Sequence, residues 1–149
     1  MALFYWEKIK LSTRYQLFMD RQPIGELNYK LFGGIAQVDF NNHQYFFETE
    51  GLLKRRMLII DRLNKKELGV IHFNTWINKA QIELNGSSYL WKRKNLFSMR
   101  WKIYDNIGQL LYNTSGLRNG QQVVSNQQEM LVLICGIIAI NHARRSGAI

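Results

Sequence analysis

Apolar and polar residues alternate with a period of two along most of this chain, in short runs separated by Asn, Asp and Gly. That period puts successive side chains on opposite faces of a strand. Tyr15 to Met19 and Gly25 to Leu31 read as a first pair of strands, turning at Arg21, Gln22 and Pro23. Ile35 to Phe40 and His43 to Thr49 form a second pair around Asn41-Asn42, residues that tolerate positive φ. Met57 to Asp61 pairs with Glu67 to Asn74 around Asn64-Lys65-Lys66, and Lys79 to Leu84 with Ser88 to Lys92 around Asn85-Gly86, a strong hairpin signal. Met99 to Tyr104 and Gly108 to Asn113 flank Asp105-Asn106-Ile107. Gly33-Gly34 reads as a turn, Leu3 to Leu11 as a leading strand, and Gln121 to Ser125 as a weaker strand after Asn119-Gly120.

The pattern repeats. Tyr15, Met57 and Met99 open equivalent strands at a constant spacing of 42 residues, and Asp20, Asp61 and Asp105 close them. Gly25, Gly69 and Gly108 open the partner strands, and Ala36 to Phe40 is echoed by Ala80 to Leu84. Three units of about four strands give about twelve. Propellers typically have about four to eight blades, so three units argue against one.

After the strands the pattern changes. Met130 to Ile140 is eleven residues with no polar side chain. Its β-branched content would suit a buried strand. The flanks favour a helix over about 127–145: Asn126 with Glu129 three places on is a capping-box arrangement, Arg144-Arg145 suits a helix C-terminus, and Gly147 is a stop. A bilayer span needs about twenty apolar residues, so no transmembrane helix is expected. A helix that is apolar all round must be covered all round. The expected fold is therefore one domain over residues 1–149: a closed barrel of about twelve antiparallel strands around a buried hydrophobic C-terminal helix. Gly136 at mid-helix would admit the barrel wall.

The strand-Asp-turn-Gly-strand units, as in Met99 to Tyr112 (MRWKIYDNIGQLLY), and the terminal helix from Gln127 to about Arg145 resemble the tubby C-terminal-like fold. That fold is shared by tubby proteins, phospholipid scramblases and LURP-one-related proteins. The resemblance covers nearly the whole chain, in architecture more than in identity. It implies a twelve-stranded barrel around a hydrophobic helix, and Lys and Arg side chains that bind phosphoinositide headgroups. Scramblase-like calcium control is not implied, because Asp105-Asn106-Ile107-Gly108 lacks the ligand spacing of a calcium loop.

Charge narrows the partners. Twenty Lys and Arg face eleven acids, a net +9, which favours anionic lipid, nucleic acid or acidic protein, or else serves solubility. Lys54-Arg55-Arg56 and Lys92-Arg93-Lys94 stand at the two junctions between units, which a repeat barrel places on the same end. These six residues are the candidate ligand-binding set, for anionic headgroups. Lys65-Lys66, in a turn, reads as solvated, and Arg100 and Lys102 as the outer face of a strand. Trp91 and Trp101 are either base-stacking surfaces or core, and Trp76 a candidate for membrane insertion or local packing. A protein-interaction or structural barrel is the third reading.

His43, His72 and His142 show no metal-ligand spacing, His142 reading as a helix cap. No Gly-x-Ser-x-Gly or phosphate-loop motif occurs and no carboxylate pair stands out, so no catalytic residue, metal or cofactor is expected and the chain does not read as an enzyme. The lone Cys135 permits no intrachain disulfide and suits a reduced compartment. The opening residues lack the regions of a signal peptide, which makes a cytoplasmic protein, peripheral at a membrane, the expectation.

Overall fold

The computed structural model describes residues 1–29, 35–51, 53, 55–114 and 118–146. Lys30 and Leu31 of the second expected strand, the Gly33-Gly34 turn, Lys54 and the Gly147 stop lie outside the described residues. In chain order the strands are β1 (Ala2–Lys8), β2 (Arg14–Met19), β3 (Gln22–Asn28), β4 (Ile35–Phe40), β5 (His43–Glu50) and β6 (Arg56–Asp61). They continue as β7 (Lys66–Phe73), β8 (Lys79–Leu84), β9 (Ser87–Arg93), β10 (Trp101–Tyr104), β11 (Leu110–Thr114) and β12 (Asn119–Val124). The helix α1 (Gln127–Ser146) follows.

Each strand pairs antiparallel with the next from β1 to β11, and β12 returns to pair with β1. The result is a nearly closed twelve-stranded barrel, open only at a seam where β11 faces β12. At the seam the Gln122 Nε2 donates to the Asn113 carbonyl at 3.1 Å. The alternation read from the sequence is the wall itself: in β8, Ala80, Ile82 and Leu84 are buried while Lys79, Gln81 and Glu83 are exposed.

Turn chemistry sets the hairpins. Asn41-Asn42 (φ 50° and 62°) and Asn85-Gly86 (φ 50° and 83°) both run through the left-handed region, as hairpin turns of this length require. The first turn is Asp20-Arg21 (φ 48° and 71°), one residue earlier than the sequence suggests. Pro23 belongs to β3, opposite Phe18 at a bulge, a place where a strand tolerates a missing N–H.

The repeat is visible as three bulges, at Leu17/Phe18, Ile59/Ile60 and Ile103/Tyr104. Counting back from them, the equivalents of Tyr15 and Met57 is Trp101, so Met99 is displaced from the equivalent position and lies in the loop before β10. Gly25 and Gly69 sit opposite Leu17 and Ile59, but Tyr112 holds that place opposite Ile103. Gly108 instead lies in the turn, at φ +89°. The spacing drifts because the connection between β9 and β10 has its own length.

The helix fills the barrel. Met130 to Ala143 is buried on every face, which is why the run carries no polar stripe. At its start the Asn126 side chain accepts from the Glu129 N–H at 3.0 Å, and the Glu129 carboxylate accepts from the Ser125 N–H. Gln128 ties this end to the wall through the Leu84 carbonyl at 3.0 Å and Tyr89 Oη at 3.2 Å. Near its exit Asn141 Nδ2 donates to Tyr15 Oη at 2.9 Å, and His142 Nδ1 lies 3.2 Å from Tyr29 Oη. His142, read from the sequence as a helix cap, is a buried wall contact packed on Phe73.

Cys135 lies in the middle of this helix with no exposed surface, and burial pushes its thiol up. We expect it to resist an aromatic disulfide reagent at neutral pH and to react only as fast as the barrel unfolds. Rapid labelling in native buffer would contradict a helix enclosed by the wall.

Candidate anion-binding surface

Antiparallel alternation assigns every connection to one of two rims. The connections β1–β2, β5–β6, β7–β8 and β9–β10 share the rim at which α1 ends, marked by His142 beside Tyr29 and Phe73. The opposite rim, where α1 begins, carries the turns around Asp20, Asn41, Asn64, Asn85 and Asn106. The two basic junctions fall on the exit rim together, with the β7–β8 connection between them. Two backbone bonds link these neighbours: Phe73 N–H to the Arg55 carbonyl at 2.7 Å, and Arg93 N–H to the Asn78 carbonyl at 2.9 Å.

The six candidate residues separate. Lys54 lies outside the described residues. Arg55 is half-buried. Arg56 is exposed on the outer face of β6 and pairs with Glu50 at 3.1 Å, which offsets part of its charge. It sits three strands from β9, roughly 14 Å at the usual strand spacing. Arg93 points inward: it is 8% exposed, burial lowers its pKa, and its guanidinium donates to the Ser98 carbonyl at 3.2 Å and to the Leu96 carbonyl. It organises the loop that follows β9, and it also borders the pocket that Lys92 and Lys94 line. Lys92 and Lys94 face outward.

The register then adds cations that the sequence reading did not assemble. Lys92 on β9 is directly opposite Lys79 on β8 and directly opposite Lys102 on β10. One row of the outer wall is therefore three adjacent lysines. Beside it, towards the rim, Lys94 and Arg100 are joined by a backbone hydrogen bond of 3.0 Å. A shallow pocket of about 410 Å³ is lined by Lys92, Arg93, Lys94, Arg100, Trp101, Lys102, Tyr104 and Asn113, with no carboxylate. The Lys92 ammonium sits 5.7 Å from the Tyr104 ring centroid. Among the described residues the salt bridges are Arg14–Glu26 and Arg56–Glu50, so none of these five cations is in one.

Like charges directly opposite each other in a sheet destabilise it by a few tenths to about 1 kcal/mol per pair. The lysine row is thus a local conflict that an anion would relieve. Around the same rim, Lys8 has a lowered pKa because of burial first and then the nearby charges of Arg144, Arg118 and Arg145. The acids Asp20, Asp39, Asp61, Glu67, Glu83 and Asp105 all lie on the opposite rim or in the half-strands leading to it. Glu7, Glu48 and Glu50 lie in the strand halves that lead to the exit rim, and Arg21, Arg62, Lys65 and Lys66 stand on the entry rim, so the cation excess toward the exit is a net one.

Burial decides between the two readings of Trp91 and Trp101. Trp91 and Trp101 are 0% and 1% exposed, with indole N–H groups buried among core side chains, so neither can present a stacking face to a base. A second pocket, about 540 Å³ on the entry rim, holds Asp39, His43 and Arg62, but no hydrogen bond joins these three among the described residues. No cluster of three or more His, Cys, Asp or Glu occurs among the described residues, and no described helix is long and apolar enough to cross a membrane. Comparison of the chain with family models, with curated proteins and with solved structures finds no match.

Proposed function

We propose that this chain is a non-enzymatic binding module that engages anionic phospholipid headgroups at a membrane surface. The observation that carries the reading is the row Lys79–Lys92–Lys102, backed by Lys94 and Arg100 and free of carboxylates. A cluster of this kind differs from the scattered charge that merely keeps a protein soluble. Each fixed cation near an anionic membrane contributes on the order of 1 kcal/mol. The resemblance to tubby-like barrels implies the same ligand class. The nucleic-acid reading loses its stacking surfaces with the burial of Trp91 and Trp101. In this reading the protein works in a reduced compartment, where its lone cysteine is stable, and is recruited peripherally from the cytoplasm.

Replacing Lys79, Lys92 and Lys102 together by alanine should weaken co-sedimentation with vesicles containing anionic lipid roughly a hundredfold, from about 1 kcal/mol per cation. All three are on the outer wall, so the unfolding transition should not fall. Neutral vesicles should bind neither protein. Binding that survives the triple substitution would move the site off this wall, and wild-type protein that ignores anionic vesicles at low salt would end the lipid reading.

A further inference from the structure

The exit rim carries exposed apolar side chains as well as cations. Leu11, Leu53, Trp76 and Phe97 are 100%, 69%, 69% and 81% exposed, and each lies in a different connection of that rim. Two of these tips are built rather than loose. In the β7–β8 connection, Asn74 Oδ1 accepts from the Asn78 N–H at 3.0 Å and Asn74 Nδ2 donates to Asn78 Oδ1 at 2.6 Å. This frame holds Ile77 at φ +53°, a conformation rare for a β-branched residue, with its side chain buried. Seating Ile77 inward turns its neighbour Trp76 outward. In the β9–β10 connection the buried Arg93 guanidinium holds the carbonyls on both sides of Phe97, those of Leu96 and Ser98, and Asn95 Oδ1 accepts from the Phe97 N–H at 2.9 Å. An inward arginine at the end of a strand thereby presents a phenyl ring to solvent.

We infer that the barrel docks end-on to an anionic bilayer, with Trp76, Phe97 and the leucine tips entering the interface while the lysine wall lies at headgroup level. This rests on the headgroup reading above and adds its orientation and its apolar anchor. The depths agree. The row Lys92/Lys102 is two residues below the row Lys94/Arg100, about 7 Å at the rise of a strand, and the headgroup region is roughly 5–8 Å thick on each side of a bilayer. Trp at that boundary has an apolar ring and an N–H that stays wet. The opposite rim also exposes Leu63 and Ile107, but each stands in a turn closed by an acid, Asp61 or Asp105, that accepts its N–H. Arg62, Lys65 and Lys66 stand beside Leu63, so that rim mixes charges, and the larger cation excess of the exit rim is what favours it at an anionic surface.

The protein contains its own reporter. Trp6, Trp91 and Trp101 are at most 1% exposed, so Trp76 alone changes surroundings when the rim is covered. With vesicles of phosphatidylserine and phosphatidylcholine, Trp76 emission should shift to the blue and be quenched by lipids brominated near the headgroup, and a Trp76→Phe protein should show neither. Trp76→Ala with Phe97→Ala should reduce vesicle binding roughly tenfold, in line with the apolar area withdrawn, with an unchanged unfolding transition. Sedimentation with the vesicles but no shift or quenching would overturn end-on docking and leave headgroup binding by the wall in place. No sedimentation at all would remove both. A blue shift without lipid that grows with protein concentration would make the rim a contact between copies of this chain and overturn the bilayer as its partner.

Discussion

Gly69→Ala should lower the melting temperature by roughly 10 °C or more, from an expected loss of about 4 kcal/mol. The cause is backbone, not side chain. A Cβ on Gly69 would lie 2.9 Å from Leu84 Cα and closer still to the Glu83 carbonyl, inside the space of the neighbouring strand. To admit it, β8 must draw away from β7 at the end of their ladder, where Gly69 is paired with Leu84, and the fully buried Leu84 moves with it. Gly25 stands in the same relation to the Asp39 carbonyl in the first unit, so Gly25→Ala should do the same. Gly108 and Gly86 are the controls. Nothing lies within 4 Å of a Cβ there, and only the positive φ opposes it, so a loss of about 1–2 kcal/mol is expected. Denaturant midpoints of the four single variants measure the contrast. Equal losses at all four positions would mean that the close approach of β8 adds nothing at 69 beyond the cost of a substituted turn glycine.

The second large effect concerns the centre. Trp101 lies against Gly136 of the helix on one side and stacks on Trp6 at 6.4 Å on the other. Trp6 in turn lies against Gly120 of β12. Two indoles are held between two glycines. A Cβ on Gly136 would overlap the Trp101 ring and lie 3.1 Å from Ile103 Cδ1, and Trp101 has no room to retreat. Gly136→Leu should therefore cost about 3 kcal/mol through overpacking. Trp101→Ala should cost about 3–5 kcal/mol through the cavity it leaves. Together the two should be less harmful than their sum by about 1–3 kcal/mol, because the leucine occupies the vacated space. Strict additivity in a double-mutant cycle would show that the helix does not seat its glycine on this ring.

Much of the fold could be read before any coordinates. The β2–β12 alternation, the Asn-Asn and Asn-Gly turns and the capped apolar helix each follow from local rules: a period of two, positive φ, an N-cap. Part of the surface was legible as well. A two-residue turn at Asn85-Gly86 fixes the register of its hairpin and sets Lys79 opposite Lys92. Alternation alone also requires that Lys92-Arg93-Lys94, on a strand, divide between two faces, so Arg93 could have been assigned inward with Trp91. The rest depends on connections that follow no local rule. The β9–β10 loop decides that Lys102 meets Lys92, and its length shifts the third unit so that Trp101, not Met99, takes the repeat position. The same alternation sets Trp91 and Trp101 on one face, and only closure of the wall makes that face the interior.

The nearly closed wall also has a history in time. Its hairpins form between neighbours in sequence and can appear one after another, as soon as each turn is made. Closure cannot. The pairing of β1 with β12 joins Ala2 to Val124, and the helix that fills the interior comes after every strand. A chain that has made β1 to β11 is therefore a curled strip with two open edges and a bare apolar face. Such a strip can pair with another strip as readily as with itself.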